Sequence, residues 1–297
     1  MSARRLRLAW RALFTIALVA GPGAPAGAEA LRVRVTPQEP RPGDVVLVHV
    51  TGARTGLRVE WNGRPLRLFP VRDGLAAVVG IDLDVPAGPI AWRVVPEPPA
   101  SGPRAAAGTV TVRAKVFPVQ HLTLPPNQVD LDPPTLARAE AEQRELTAAL
   151  ADSAAERLWQ GPFRVPVEGG RPTGGFGLRR ILNGQSRSPH AGFDWAAPEG
   201  TPVLATNAGR VALVADHFFA GRSVVVDHGL GLFTLYFHLS AVSVSVGEAV
   251  GAGQVLGAVG ATGRVTGPHL HFGVILGGAR VDPESLLALA PPADPAP

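Results

Sequence analysis

Hydrophobic and polar residues alternate over short runs along much of this chain, and glycine or proline residues separate the runs. Alternation with a period of two is typical of strands that bury one face, and turn residues between the runs favour antiparallel pairing. The Asn62-Gly63 pair lies between two such runs and is a strong signal for a tight hairpin. We therefore predict a mainly β protein.

The first set of runs lies within residues 29–117. About seven short strands over this length suit an immunoglobulin-like β-sandwich, here without a cysteine pair. No cluster of chemically reactive side chains accompanies the runs, so we expect a scaffold or substrate-presenting role. The predicted strands are residues 31–35, 45–50, 58–61, 65–69, 75–83, 90–95 and 109–116.

A second set of runs follows residue 161, with frequent glycine breaks. It predicts an antiparallel β-sheet domain with a groove over residues 161–290. A tail rich in alanine and proline, residues 291–297, is expected to be disordered. The predicted strands of the second domain are residues 202–205, 209–214, 223–226, 234–238, 242–246, 254–259 and 270–276.

A proline-containing linker, residues 118–160, joins the two sets of strands. Asp132 followed by two prolines predicts a helix start with Asp132 as its N-cap. The helix should run from Thr135 to about residue 156, because alanine, glutamate and arginine dominate this stretch. Its apolar residues are sparse, so we interpret it as a spacer.

The first 28 residues resemble a targeting segment. Basic residues precede a short apolar run at residues 12–20, and small residues end at Ala28, where we place the cleavage, with Ala30 as the alternative. This pattern predicts export to the periplasm, cell envelope or exterior. The apolar run is well under the ~18 residues that a membrane helix needs. We expect no integral membrane segment after cleavage.

The charge balance and the cysteine count limit the possible partners and metal ligands. Four of the 28 basic residues lie in the targeting segment, which leaves 24 basic against 24 acidic residues in the remainder. This balance argues against nucleic acid as a partner. The chain has no cysteine, so thiolate zinc ligands and disulfides are both excluded.

Histidines occur in three separated motifs that suit a metal site. The motifs are His190-Ala-Gly-Phe-Asp194, Tyr236-Phe-His238 and His269-Leu-His271. Strand periodicity places His269 and His271 on one face, and it places Tyr236 and His238 together facing the site. The first and last motifs alone offer three histidines and one carboxylate, more than the three protein ligands of a catalytic zinc. The surplus histidines are catalytic candidates.

The other histidines are less promising, since a single histidine on a strand is usually structural. His217 and His228 each follow an aspartate without a partner motif, and we interpret them as turn or supporting residues. His49 lies within an apolar run and His121 precedes a proline-rich segment. We exclude both as ligands.

These motifs, together with Gly174-Gly175-Phe176-Gly177, resemble the lysostaphin-type, or LytM-type, zinc metallopeptidases of family M23. The resemblance runs over about residues 161–287, with the motifs in the family's order and spacing. It implies zinc ligands at His190, Asp194 and His271 and one zinc ion per chain. It also implies that His238 and His269 handle the water proton and the developing oxyanion.

The implied reaction is hydrolysis of peptide cross-links in bacterial peptidoglycan by zinc-activated water. No H-E-x-x-H glutamate is present, so the base should be an imidazole. His269 is the better candidate for the base and His238 for the oxyanion donor, although the two roles can be exchanged. Tyr236 either binds substrate or packs in the core, and the glycines at positions 174, 175 and 177 should let a thin peptide approach.

Two alternatives compete with this hypothesis. A non-catalytic wall-binding or amidase-activating module would have the same fold, but we expect it to lack one or more ligands. A biotinyl or lipoyl carrier domain is suggested by the glycine-rich segment 246–256. Carriers attach their cofactor to a lysine, and Lys115, the only lysine, lies outside this segment. The carrier hypothesis is therefore excluded.

Overall fold

A computed structural model describes residues 31–52, 55–96, 106–123 and 131–295. This part of the chain is mainly β and its sheets are almost entirely antiparallel, as predicted. No helix in it is both long and apolar enough to cross a membrane. The predicted targeting segment and both candidate cleavage positions lie outside the described residues.

Two four-stranded sheets form the first region, with strand orders β1-β2-β6-β5 and β4-β3-β7-β8. Their inward side chains share one buried cluster, which includes Val48 and Val59, so the sheets pack as a sandwich. The immunoglobulin-like topology remains a prediction. The strands are β1 Arg32–Thr36, β2 Val45–Thr51, β3 Leu57–Trp61, β4 Arg64–Pro65, β5 Phe69–Val71, β6 Gly74–Gly80, β7 Gly88–Pro96 and β8 Ala106–Val112.

The hairpin prediction is confirmed, because Asn62 and Gly63 both have positive φ, of 49° and 76°, between the paired strands β3 and β4. The single strand predicted at residues 65–69 is wrong. The chain instead passes from one sheet to the other there, so that Pro65 ends β4 and Phe69 begins β5.

A ten-stranded sheet forms the second region, with the main order β10-β13-β20-β17-β16-β15-β18. Strand β19 pairs with β14 and β17, and β21 pairs with β20. A small separate sheet contains β9 Val119–Leu122, β11 Arg179–Leu182 and β12 Gln185–Ser186. The strands of the large sheet are β10 Arg171–Gly174, β13 Gly192–Ala196, β14 Pro202–Leu204, β15 Gly209–His217, β16 Gly221–Asp227, β17 Leu232–Val242, β18 Ala249–Val250, β19 Val255–Val259, β20 Leu270–Leu276 and β21 Ala279–Val281.

Helix α1, Pro133–Ala151, begins as predicted, because the Asp132 side chain accepts a hydrogen bond from Thr135 N at 2.8 Å. It ends earlier than predicted. The spacer interpretation is wrong, since Leu146 and Leu150 pack on the outer face of the large sheet against a cluster that includes Phe233. A second helix, α2, spans Pro283–Leu287.

The two regions are packed together. Val45 and Leu47 of β2 join the same buried cluster as Trp159 and the core of the large sheet. Arg280 on β21 donates to both carboxylate oxygens of Asp82, at 2.6 and 3.0 Å, and this hydrogen bonding raises the pKa of Arg280. Strand β9 also extends parallel to β11. The first region therefore supports the second directly.

Residues 293 and 294 also contact the rest of the described structure. Arg72 N donates to the carbonyl oxygen of Ala293 at 2.8 Å, and Arg157 forms an ion pair with Asp294. The predicted disorder of the tail is therefore wrong for residues 291–295. The last two residues, 296 and 297, lie outside the described part of the chain.

Candidate metal centre

Neighbouring strands bring three donor groups to one point. Asp194 on β13 lies directly opposite His271 on β20, and His190 lies two residues before β13 begins. His190 Nε2 is 3.0 Å from Asp194 Oδ1 and 2.9 Å from His271 Nδ1. His271 Nδ1 is 2.9 Å from the same carboxylate oxygen. Within the described residues, this trio is close enough to share a metal ion.

The protonation of His190 shows that the trio suits a cation. Its Nδ1 lies 2.9 Å from the carbonyl oxygen of Gly175, which can only accept, so Nδ1 carries the proton. The Nε2 lone pair therefore points at the lone pairs of Asp194. Ligands of a tetrahedral ion with bonds of about 2.0–2.1 Å lie about 3.3 Å apart, close to the observed separations. Two imidazoles and one carboxylate are a donor set typical of catalytic zinc.

The pKa shifts of Asp194 and His271 favour metal binding at neutral pH. Burial raises the pKa of Asp194, but its close contacts with the His190 and His271 rings outweigh it, and the pKa falls well below its usual value. Burial lowers the pKa of His271 more than the hydrogen bond to Asp194 raises it. The carboxylate is therefore ionised and His271 neutral, the forms in which these groups bind a metal.

Two glycines make room for the ligands. A Cβ at Gly174 would lie 2.4 Å from Asp194 Oδ2, and a Cβ at Gly192 would lie 2.5 Å from His271 Nε2. Any side chain at either position would displace a ligand. Gly192 was not among the predicted site residues, although its place in the H-x-G-x-D motif was a signal for it.

Two further imidazoles flank the trio. His269 Nε2 is 4.0 Å from Asp194 Oδ1, and the rings of His238 and His269 are 4.8 Å apart. Each ring has its Nδ1 beside a backbone carbonyl oxygen, that of Thr262 at 3.0 Å for His238 and that of Gly267 at 2.9 Å for His269. The neutral form of either ring therefore has its proton on Nδ1, and its Nε2 can accept a hydrogen bond.

The environment of His238 keeps it neutral. Burial lowers its pKa to about 4, and the nearby His271 and His269 rings act in the same direction. Its backbone has a φ of 66°, an uncommon value for a residue other than glycine, and its N–H donates to the Ala220 carbonyl oxygen at 2.8 Å. The loops that contain Ala220 and Thr262 thus fix both the backbone and the ring.

The prediction that Tyr236 faces the site is wrong. Tyr236 is fully buried, and its hydroxyl group makes hydrogen bonds of 3.0 Å with Thr206 N and with the Thr234 hydroxyl. Pairing of β17 with β20 instead places Phe237 opposite His271, and their rings stack at 5.5 Å. The alternation was misassigned because the left-handed backbone at His238 interrupts it and returns that imidazole to the ligand side.

The predicted glycines do not share one role. Gly175 is exposed and has open space where a side chain would be, so a substrate role for it remains a prediction. Gly177 is buried, and a Cβ there would lie 2.0 Å from Phe117, the residue before the linker. The prediction that Gly177 lines the groove is therefore wrong, because the Phe117 ring already fills that space.

Comparison with known proteins agrees with this geometry. The family model described as Peptidase family M23 matches residues 188–283, a segment that contains the trio and the two flanking histidines, His238 and His269. A solved structure of a Pseudomonas aeruginosa protein assigned to peptidase M23 is 34% identical, with a TM-score of 0.63. It covers 84% of this chain, and this chain covers 95% of it. The chain belongs to peptidase family M23.

Two named peptidases are among the curated relatives of this chain. Peptidoglycan DD-endopeptidase ShyA of Vibrio cholerae serotype O1 is 40% identical over 147 residues, which are 47% of this chain and 34% of that protein. DD-carboxypeptidase/endopeptidase Mpg of Neisseria meningitidis serogroup B is 44% identical over 102 residues, which are 34% of this chain and 24% of that protein. The chain thus matches about a third or less of the length of these curated relatives.

Two other histidines of this M23 chain, His228 and His217, have partners away from the trio. His228 is fully buried, with Nδ1 2.7 Å from the Ala208 carbonyl oxygen and Nε2 2.8 Å from the Thr234 hydroxyl group. Burial lowers the pKa of His228 to about 4. His217 contacts Glu145 of helix α1 at 3.0 Å. Neither belongs to the metal-competent trio.

Proposed function

We propose that this chain is an exported zinc metalloendopeptidase that hydrolyses the peptide cross-links of bacterial peptidoglycan. The observation that carries the proposal is the trio of His190, Asp194 and His271 with two imidazoles beside it. The names of the aligned relatives, both peptidoglycan or DD-peptide hydrolases, support the substrate class.

In the proposed reaction, His190, Asp194 and His271 would hold one zinc ion. When bound, zinc supplies Lewis-acid polarisation of the scissile carbonyl and of water. Asp194 is the anionic ligand, and its burial strengthens its attraction for the cation. The Gly175 carbonyl oxygen orients His190 by accepting its Nδ1 proton.

His269 is the proposed general base. Its Nδ1 proton is directed to the Gly267 carbonyl oxygen, so Nε2 is the atom that accepts a proton from water. Asp194 Oδ1, 4.0 Å from Nε2, stabilises the resulting imidazolium. The protonated ring can then donate to the leaving amine.

His238 has a different proposed role. With a pKa of about 4 and its Nδ1 proton directed to Thr262, its Nε2 is an acceptor at neutral pH. It is therefore suited to orienting water or a substrate N–H group. This revises the sequence-based preference for His238 as the oxyanion donor, which would need the charged ring.

Digestion of purified peptidoglycan tests the function. The full chain should convert cross-linked muropeptide dimers to monomers and expose one new amino group per cut, without new glycan reducing ends. Removing zinc with a chelator should stop the reaction, and adding zinc should restore it. Asp194→Asn is the matched control and should be inactive. Peptides released whole from the glycan would identify an amidase, and activity after verified zinc removal would refute the mechanism.

A further inference from the structure

Helix α1 is attached to the hairpin loop 218–220, which joins β15 to β16. Glu142 Oε2 accepts a hydrogen bond from Phe218 N at 2.7 Å. Three residues further along the helix, Glu145 Oε2 lies 3.0 Å from Nε2 of His217, the last residue of β15. The helix thus holds the start of this loop, in addition to covering the apolar face of the sheet.

Glu142 lies on the side of the helix that faces the sheet. It is one turn before Leu146, which packs on the sheet, and its side chain is only 15% exposed. Taking a carboxylate out of water is unfavourable unless hydrogen bonds replace its hydration. Burial raises the pKa of Glu142, but bonds from Arg138 Nε, at 2.6 Å, and from Phe218 N outweigh this and lower it. The carboxylate is therefore ionised and held against the loop.

The other end of the same loop holds a histidine beside the candidate metal centre. His238 N donates to the Ala220 carbonyl oxygen at 2.8 Å. At the next position, a Cβ on Gly221 would lie 2.3 Å from Thr262 Oγ1, and Arg222 N donates to that hydroxyl oxygen at 3.0 Å. The Thr262 carbonyl oxygen is in turn the partner of His238 Nδ1. The loop therefore supports both the backbone and the ring of His238.

The helix and the histidine are connected through very few residues. The contact from Glu142 reaches Phe218, and the contact to His238 starts from Ala220, only two residues later. His238 has a φ of 66°, and a residue other than glycine keeps such a backbone only where surrounding contacts hold it. A shift of the loop would release one of these contacts.

We propose that Glu142 is a positioning residue, through which helix α1 and the hairpin loop 218–220 hold His238 in the orientation that hydrolysis uses. The catalytic part of this proposal rests on the proposed peptidase function. The physical link from the helix to His238 does not depend on it. Glu142 acts on the reaction only through the loop, because its carboxylate is occupied by Phe218 N and Arg138.

Hydrogen exchange, followed by NMR on the zinc-loaded full chain, tests the link without reference to catalysis. Glu142→Ala removes the acceptor for Phe218 N, so the His238 amide should exchange at least about tenfold faster, the scale of one lost hydrogen bond to a charged group. Glu142→Gln keeps an acceptor oxygen and should restore most of the protection. Glu140→Ala, at an exposed glutamate of the same helix, is the control and should leave the exchange unchanged.

Kinetics on cross-linked muropeptides test the catalytic consequence. In Glu142→Ala, kcat should fall by about 10- to 100-fold with little change in KM, because a catalytic group is misplaced while substrate contacts elsewhere remain. Glu142→Gln should recover most of kcat. Leu150→Ala removes an apolar contact between the same helix and the sheet, so it should lower Tm but keep kcat. Adding Glu142→Ala to His238→Ala should cause no further loss of kcat.

The two measurements separate this proposal from the proposed function. Unchanged exchange at His238 in Glu142→Ala, or exchange that rises equally in strand β2 of the sandwich, would overturn the link. Faster exchange at His238 with an unchanged kcat would overturn the positioning role. Faster exchange at His238 in a chain whose wild type cleaves no muropeptide would support the link and refute the peptidase.

Discussion

Replacing Gly177 by alanine should weaken metal binding although Gly177 contacts no ligand side chain. Gly177 has a φ of 81°, and its N–H donates to the carbonyl oxygen of His190 at 2.8 Å. A Cβ there would lie 2.0 Å from Phe117 Cδ1, far inside van der Waals contact. The same short segment includes Gly175, whose carbonyl oxygen orients the His190 ring.

Two effects set the size of the destabilisation. An L-residue at positive φ costs about 1–2 kcal/mol. Crowding a packed aromatic ring costs a further ~1–3 kcal/mol, so Gly177→Ala should lower the free energy of unfolding by about 2–5 kcal/mol. Because the segment also orients His190, zinc affinity should fall by about 10- to 100-fold, as when the hydrogen-bond partner of a ligand is lost.

Urea denaturation and competition with a chromophoric zinc chelator measure the two quantities. Gly200→Ala is the matched control, since Gly200 has a φ of 86° with open space around it and reports the backbone effect alone. Phe117→Ala should remove the crowding, so adding it to Gly177→Ala should cost less than the sum of the two single changes. The interpretation fails if Gly177→Ala is no more destabilising than Gly200→Ala and binds zinc normally.

Three other outcomes are expected. Asp194→Asn should lose zinc and activity together, measured by metal analysis and muropeptide digestion, whereas a zinc-loaded variant would exclude Asp194 as a ligand. His269→Ala should keep zinc and lose about 10²- to 10⁴-fold in kcat, the scale of a general base, and normal turnover would assign the base elsewhere. The pKa of His228 is about 4 in the folded chain and about 6.5 in the unfolded chain. Between these pH values the unfolded chain binds a proton that the folded chain does not. The free energy of unfolding should therefore fall by about 3 kcal/mol as the pH drops from about 6.5 to about 4. Urea denaturation should show a smaller loss over this pH range in His228→Gln than in wild type, and equal pH dependence would contradict a neutral buried ring.

Local sequence patterns predicted the elements whose stability is mainly local. The Asn62-Gly63 turn and the Asp132 N-cap depend on residues within a few positions, and both are confirmed. Strand β13 was missed, although it contains Asp194. Glycine and aspartate have low strand propensity, and pairing with β20 supplies the missing stability.

Contacts between distant segments could not be predicted. The run at residues 45–50 was predicted as a strand, and the structure buries strand β2 on both of its faces. Val46 and Val48 face the sandwich core, while Val45 and Leu47 face the large sheet. The run itself contains no information on which partner covers its second face. Placement of Phe117 beneath Gly177 was undetectable for the same reason.

Alternation along β17 assigned Tyr236 to the same face as His238, which is wrong, and His238 lies beside the candidate metal centre. Strict alternation along β17 would place His238 with Tyr236 in the core, yet the 66° φ of His238 turns its ring towards His269. Such a backbone costs of order 1–3 kcal/mol and persists only where surrounding contacts hold it. Hydrogen bonds to the carbonyl oxygens of Ala220 and Thr262 do so here. The strained residue is thus one that the proposed catalysis uses, which explains why a pattern based on regular strands fails at this position.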